Sequence, residues 1–117
     1  MNRWALLEHK IFINNYQEIH YDFLVQYGEE CLTWKFFQLP KKKGTSVEII
    51  NQHNHRLIWL FEKEAELSKD RGHVKRIDYG SYVNQGKELN NEEFSLVLDG
   101  QLMMGLFQKI GNMCKLT

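Results

Sequence analysis

Apolar and polar residues alternate along much of this chain with the period of a β-strand, in which successive side chains point to opposite faces. Tyr21, Phe23, Val25 and Tyr27 fall on one side of an extended backbone, and Leu32, Trp34 and Phe36 repeat the pattern after Gly28. A glycine between two such runs marks a turn, so the two segments are expected to form a hairpin. Pro40-Lys41-Lys42-Lys43-Gly44 reads as a loop. Val47–Ile50, Val74–Tyr79 and the N-terminal Trp4–Leu7 read as further strands. Phe94, Leu96 and Leu98 alternate up to Asp99-Gly100, and Leu102, Met104 and Leu106 follow. Asp-Gly between alternating runs signals a hairpin, because both residues tolerate positive φ. Only His55–Lys69 resists this reading. Its Glu and Lys residues favour helix, which is expected over Glu62–Lys69.

Many short strands separated by turn signals predict a mainly β fold, a small antiparallel β-barrel of six to eight strands with little helix. The chain has 117 residues. That length fits one domain spanning 1–117, large enough to bury a core without staples. Phe 7, Tyr 5 and Trp 3 support strands, where flat side chains pack well.

Charge narrows the partners. Lys+Arg 15 balance Asp+Glu 15. A protein living by non-specific DNA affinity would be basic, so a nucleic-acid site here must be a local patch, weak and sensitive to salt. Cys31 and Cys114 make no disulfide framework, and no secretory signal is visible, which points to a reducing, cytoplasmic setting. The apolar runs fall far short of the roughly 20 residues of a membrane helix. A monomer with no membrane partner is expected.

His20-Tyr21-Asp22 places an imidazole and a carboxylate on the strand face opposite Tyr21 and Phe23, about 7 Å apart along the backbone. Such a pair can converge on one metal ion, or can simply belong to a solvated polar face. His9, His53 and His55, taken singly, are more often surface or hydrogen-bonded residues than functional ones.

A longer ordered set of motifs bears on that choice. Glu8-His9, His20-Tyr21-Asp22-Phe23, Leu32-Thr33-Trp34, His55-Arg56-Leu57-Ile58-Trp59-Leu60 and Ser68–Tyr82 occur in succession. Together they resemble the 3′-phosphoesterase module of the bacterial polymerase-ligase of non-homologous end joining. They are more similar still to short stand-alone relatives of that module. The resemblance runs over residues 3 to 107. It implies a compact barrel with a surface groove and a manganese site (other divalent ions being possible there). It also implies a hydrolase of DNA repair that removes a terminal ribonucleoside and then the 3′-phosphate. The implied partners are DNA 3′ ends or primer–templates, and a DNA ligase.

Residue by residue, the resemblance makes His20 and Asp22 metal ligands with catalytic roles. His9 is the upstream ligand, with Asn14 as the alternative, and His55 is the second catalytic histidine. His53 falls outside the pattern. Trp59 is a groove aromatic where the family has tyrosine. Arg56, Arg71, Lys75 and Arg76 are candidates for holding phosphates, since guanidinium and ammonium groups make charge-assisted bonds to them. Arg56 is the weakest candidate, because it should point away from His55 on one strand. Two family arginines are missing, at Leu24 and in the region of Val47. Two function classes follow: a metal-dependent 3′-end phosphoesterase, or a non-catalytic barrel that binds nucleic acid or a ligase. The first requires His9, His20, Asp22 and His55 to converge on one groove.

Overall fold

A computed structural model describes residues 2–67, 71–86 and 88–117. It begins with a long hairpin of β1 (Arg3–Ile13) and β2 (Tyr16–Tyr27), joined by Asn14 and Asn15 at φ 48° and 65°. Two successive positive-φ residues form the turn whose twist matches that of paired strands, and asparagine tolerates it best after glycine. β3 (Glu30–Phe36) returns after Gly28, which takes φ 65°, and pairs with β2 as the alternation predicts. Then follow β4 (Val47–Glu48), β5 (Ile50–Arg56), a 3₁₀ turn at Leu57–Leu60, β6 (Glu64–Glu66), β7 (His73–Asn84), β8 (Glu93–Asp99), β9 (Met104–Ile110) and β10 (Met113–Leu116).

All named strand pairings are antiparallel, in the order β4-β10-β9-β8-β7-β1-β2-β3-β5, with β6 on β7. Among the described residues the sheet holds ten strands rather than six to eight. It is not closed into the expected barrel, because β4 and β5 stand at opposite ends of the order. Those two strands are separated in the chain by Ile49 alone, so one short segment supplies both edges. No α-helix occurs among the described residues, and none of their helices is long and apolar enough to cross a membrane.

The core lies on the inner face. Trp4, Leu6, Phe23, Val25, Trp34, Phe36, Leu96, Leu98 and Phe107 are sealed from solvent there. Phe23 and Phe107 pack with ring centres 4.9 Å apart, and Trp34 and Phe94 at 4.8 Å. Burying each such side chain contributes about 1.5–3 kcal/mol. On the opposite face of β1 and β2 a smaller apolar cluster, including Ala5, Leu7, Leu24, Cys31 and Val74, is covered by Leu60 of the 3₁₀ turn. Both faces of Trp4–Leu7 are therefore buried, which fixes β1 at the middle of the sheet.

The helix expected over Glu62–Lys69 is replaced by strand at Glu64–Glu66, while Ser68 and Lys69 lie outside the described residues. A tertiary partner overrides local propensity here. His73 on β7 sits between Glu66 Oε1, 2.5 Å from its Nδ1, and Glu64 Oε2, 2.6 Å from its Nε2. Donation to Glu64 foremost, then to Glu66, raises the His73 pKa above its ordinary value. A raised folded-state pKa means that this clamp stabilises fully below the unfolded pKa, about 6.5, and is lost as pH climbs through the folded value. The His73 ring signals in NMR should thus titrate with a midpoint above about 6.5. Glu64→Gln combined with Glu66→Gln should return the midpoint to the ordinary value; an unchanged midpoint would mean the carboxylates are not its partners.

Candidate metal centre and groove

The β1–β2 register sets His9 directly opposite His20, and Leu7 opposite Asp22. Cross-strand partners share a face, so both imidazoles and the carboxylate stand together on the side away from the main core. His20 Nε2 lies 3.4 Å from Asp22 Oδ1, and His9 Nδ1 lies 3.9 Å from Asp22 Oδ2. The two imidazole rings meet edge to face with centres 4.6 Å apart. One ligand atom from each of the three residues falls within 4.8 Å of the others, and His20 and Asp22 are buried.

The ring nitrogens facing away from Asp22 show how this set fits a cation. His9 Nε2 donates to the Arg71 carbonyl oxygen at 2.6 Å, which leaves the Nδ1 lone pair on the side of Asp22. His20 Nδ1 is buried without a hydrogen bond and faces Glu18 Oε2 at 3.7 Å, leaving Nε2 on the side of Asp22. Metal-binding histidines characteristically have their second nitrogen held by a carbonyl or carboxylate, as the Arg71 carbonyl holds that of His9. His9, His20 and Asp22 can therefore hold a metal ion. Two imidazoles and one carboxylate suit several divalent ions, manganese among them.

Glycine makes the carbonyl contact possible. Gly72 has φ +95°, and a Cβ there would sit 2.1 Å from the Lys10 carbonyl oxygen. Only a residue without a side chain lets this loop lie against β1, where the neighbouring Arg71 carbonyl reaches His9.

A groove of about 370 Å³ opens beside the ligand set. His9, Asp22, Leu7 and Val74 form one part of its lining, and His53, His55, Arg56, Trp59 and Arg71 another. Of the residues singled out from sequence, His55, Arg56, Trp59 and Arg71 are thus brought to the groove that His9 and Asp22 also line. His55 is not part of the three-residue ligand group; its Nδ1 donates to the His53 carbonyl at 3.2 Å. Arg56 reaches the same groove as its neighbour His55 because β5 ends there and the 3₁₀ turn begins.

Other candidates are engaged elsewhere. Arg76 Nη1 donates to the Leu60 carbonyl at 2.8 Å, and its guanidinium lies 3.9 Å from the centre of the Tyr79 ring. It fastens the 3₁₀ turn to β7. Lys75 pairs across the sheet with Glu8 and Glu64. Its neighbour Val74 lines the groove, so strand alternation turns Lys75 to the opposite face. Asn14 occupies the hairpin turn, and His9 stands in the ligand group instead. Leu24 is sealed in the smaller apolar cluster, and Val47 belongs to the main core.

One residue near the site, His53, was set aside by the sequence reading, and another, Lys35, escaped it. His53 lines the groove with its ring nearly parallel to that of His55, at 15° and 5.7 Å between centres. Lys35 is the cross-strand partner of Asp22, so it projects on the same face, with Nζ 5.2 Å from the centre of the Phe37 ring. The signal for Lys35 was available: the hairpin through Gly28, once its register is drawn, pairs the two.

No protein-family model matches this chain, and no curated protein matches it.

Proposed function

We propose that this protein is a divalent-metal-dependent phosphoesterase of DNA 3′ ends. On this reading it removes a 3′-phosphate or a terminal ribonucleoside in DNA repair, with manganese as its ion. The observation that carries the reading is the approach of His9, His20 and Asp22 ligand atoms to within 4.8 Å of one another, beside a groove lined by His55, Arg56 and Arg71. A divalent ion bound by those three residues would neutralise the phosphoester's charge and lower the pKa of an attacking water. Arg56 and Arg71 hold the remaining phosphate oxygens by charge-assisted bonds. His55, its Nδ1–H donated to the His53 carbonyl, keeps Nε2, which in the imidazolium form carries the proton to give to the leaving oxygen or to stabilise charge developing beside it. Trp59 offers an apolar wall for the sugar or base. Ligating imidazoles must be neutral, so metal binding should weaken in acid.

A second reading, a non-catalytic module that binds nucleic acid or a ligase, is favoured by Leu24, an apolar side chain where the resembling family places an arginine, and by the apolar Val47 in the region of a second such arginine. The two readings separate in one assay. The protein is incubated with manganese and a primer–template ending in a 3′-phosphate, and separately with one ending in a single ribonucleotide. Low salt and substrate well above micromolar levels offset the lack of net positive charge. Release of phosphate or nucleoside that stops on chelation is expected. DNA binding without release would favour the second reading.

A further inference from the structure

The two imidazoles of the ligand group have unlike surroundings. His9 donates its Nε2–H to a neutral acceptor, the Arg71 carbonyl, at 2.6 Å. His20 has no such bond. Its Nδ1 is sealed from solvent without a hydrogen-bond partner, and Glu18 Oε2 stands 3.7 Å away, just beyond bonding reach.

A neutral imidazole carries one proton, on either of its nitrogens. With no ion bound, the His20 proton is best placed on Nε2, because Asp22 Oδ1 lies 3.4 Å from that atom. To hold an ion beside Asp22, His20 must offer the Nε2 lone pair, so its proton must sit on Nδ1 instead. There it becomes a buried donor that faces a carboxylate across a gap slightly too wide for a bond. A buried N–H left without an acceptor is costly, and a bond to an ionised acceptor is among the stronger ones.

Glu18 has room to close the gap. Its side chain is 40% exposed. It precedes Tyr21, where pairing of β2 with β3 begins, and its partner Ile11 follows Lys10, where pairing of β1 with β7 ends. At Glu18 the strand β2 is therefore paired with β1 alone. Rotation about the Glu18 side-chain bonds can bring Oε2 from 3.7 Å to the usual N–H···O distance of about 2.9 Å. Strand alternation already sets Glu18, His20 and Asp22 on one face, so the movement needs no change of register.

We propose that Glu18 is a positioning residue of the metal centre, which accepts the Nδ1–H of His20 when an ion is bound. That bond fixes the ring with Nε2 toward the ion. The carboxylate's charge also makes His20 a stronger donor to the ion than His9, whose partner is a neutral carbonyl. Glu18 itself touches neither ion nor substrate. The inference rests on the metal centre of the reading above and not on its substrate.

Zinc serves as the probe, because it is diamagnetic and takes imidazole and carboxylate ligands. Long-range proton–nitrogen NMR spectra of the His20 ring, at one fixed pH, should place the proton on Nε2 without metal and on Nδ1 after zinc is added. Calorimetric titration with zinc should give Glu18→Ala an affinity about 10- to 100-fold below native. Glu18→Gln, whose amide oxygen can accept the same N–H, should recover most of that loss. Thermal unfolding of metal-free Glu18→Ala should match that of the native protein, since the bond is not made without the ion. Equal zinc affinity in Glu18→Ala and the native chain would overturn the inference. So would a His20 proton that stays on Nε2 after zinc is added. A metal-free Glu18→Ala destabilised in proportion to its loss of zinc affinity would also overturn it, by making Glu18 a residue of the fold alone. If the native chain gives these zinc responses yet releases neither phosphate nor nucleoside, the phosphoesterase reading fails and the inference stands.

Discussion

His20→Ala and Asp22→Ala are each expected to abolish manganese binding and, with it, release of phosphate from a 3′-phosphorylated primer–template. Asp22 is the only carboxylate in the ligand group, and it lies within 3.9 Å of a ring nitrogen of both histidines. Without it, two neutral imidazoles remain to hold a doubly charged ion. Loss of several kcal/mol of charge stabilisation should lower turnover by about a thousandfold or more. His55→Ala should behave differently, because His55 lies outside the ligand group. Turnover should fall by about 10²–10⁴, the range for a lost general acid, while manganese still binds. Paramagnetic broadening provides the binding measurement: signals of His9, His20 and Asp22 should broaden first in the native protein and not selectively in His20→Ala. Hydrolysis that persisted in His20→Ala would place the chemistry elsewhere in the molecule. Broadening spread evenly over the chain and unchanged in His20→Ala would show that these three residues do not form a specific site.

The largest effect on stability should come from Asp78→Ala, which is expected to cost about 3–4 kcal/mol. Asp78 is 3% exposed, and its carboxylate gathers four backbone N–H groups. Gln101 donates to Oδ1 at 2.9 Å, Leu102 and Met103 each donate to Oδ2 at 2.8 Å, and Tyr79 donates to Oδ1 at 3.0 Å. The loop between β8 and β9 is thereby wrapped around one side chain of β7. Alanine would remove the acceptor of all four, including that of the buried Met103. Thermal unfolding followed by circular dichroism should show a midpoint lower by about 10–15 °C. Gly100→Ala probes the same contact from the other side, since a Cβ there would stand 2.4 Å from Asp78 Oδ2 and 2.5 Å from Trp4 Cη2. If Asp78→Ala cost less than about 1 kcal/mol, an ordinary surface-like change, the loop would not be organised by this carboxylate.

That loop illustrates how far the residues by themselves reach. Asp99-Gly100 correctly marks a hairpin between β8 and β9. Yet the last paired residues are Asp99 and Met104, so the connection is longer than a two-residue turn. Its conformation answers to Asp78, more than twenty residues earlier in the chain. The strand at Glu64–Glu66 is similar. Glutamates with good helix propensity are held extended by His73, whose place beside them follows from the β6–β7 pairing. β10 escaped notice because it spans only Met113–Leu116, too short for alternation to stand out.

What the sequence determined by itself was local: which side chains share a face of a strand. Phe23 and Val25 point to the core while His20 and Asp22 point away from it, because an extended backbone repeats every second residue wherever the strand is placed. The hairpins through Gly28 and through Asp99-Gly100 were legible for the same reason, whereas the one through Asn14-Asn15 was not read as a turn. Tertiary structure decided what stands across from those faces. It set His9 against His20 by register, brought His53, His55, Arg56 and Arg71 to the groove, and turned Lys75 away. It spent Arg76 on the Leu60 carbonyl and left the sheet open between β4 and β5. These outcomes depend on pairings between segments far apart in the chain and on the combined twist of ten strands. No local period of hydrophobicity encodes either, because alternation states which face a residue takes and not which strand will lie beside it.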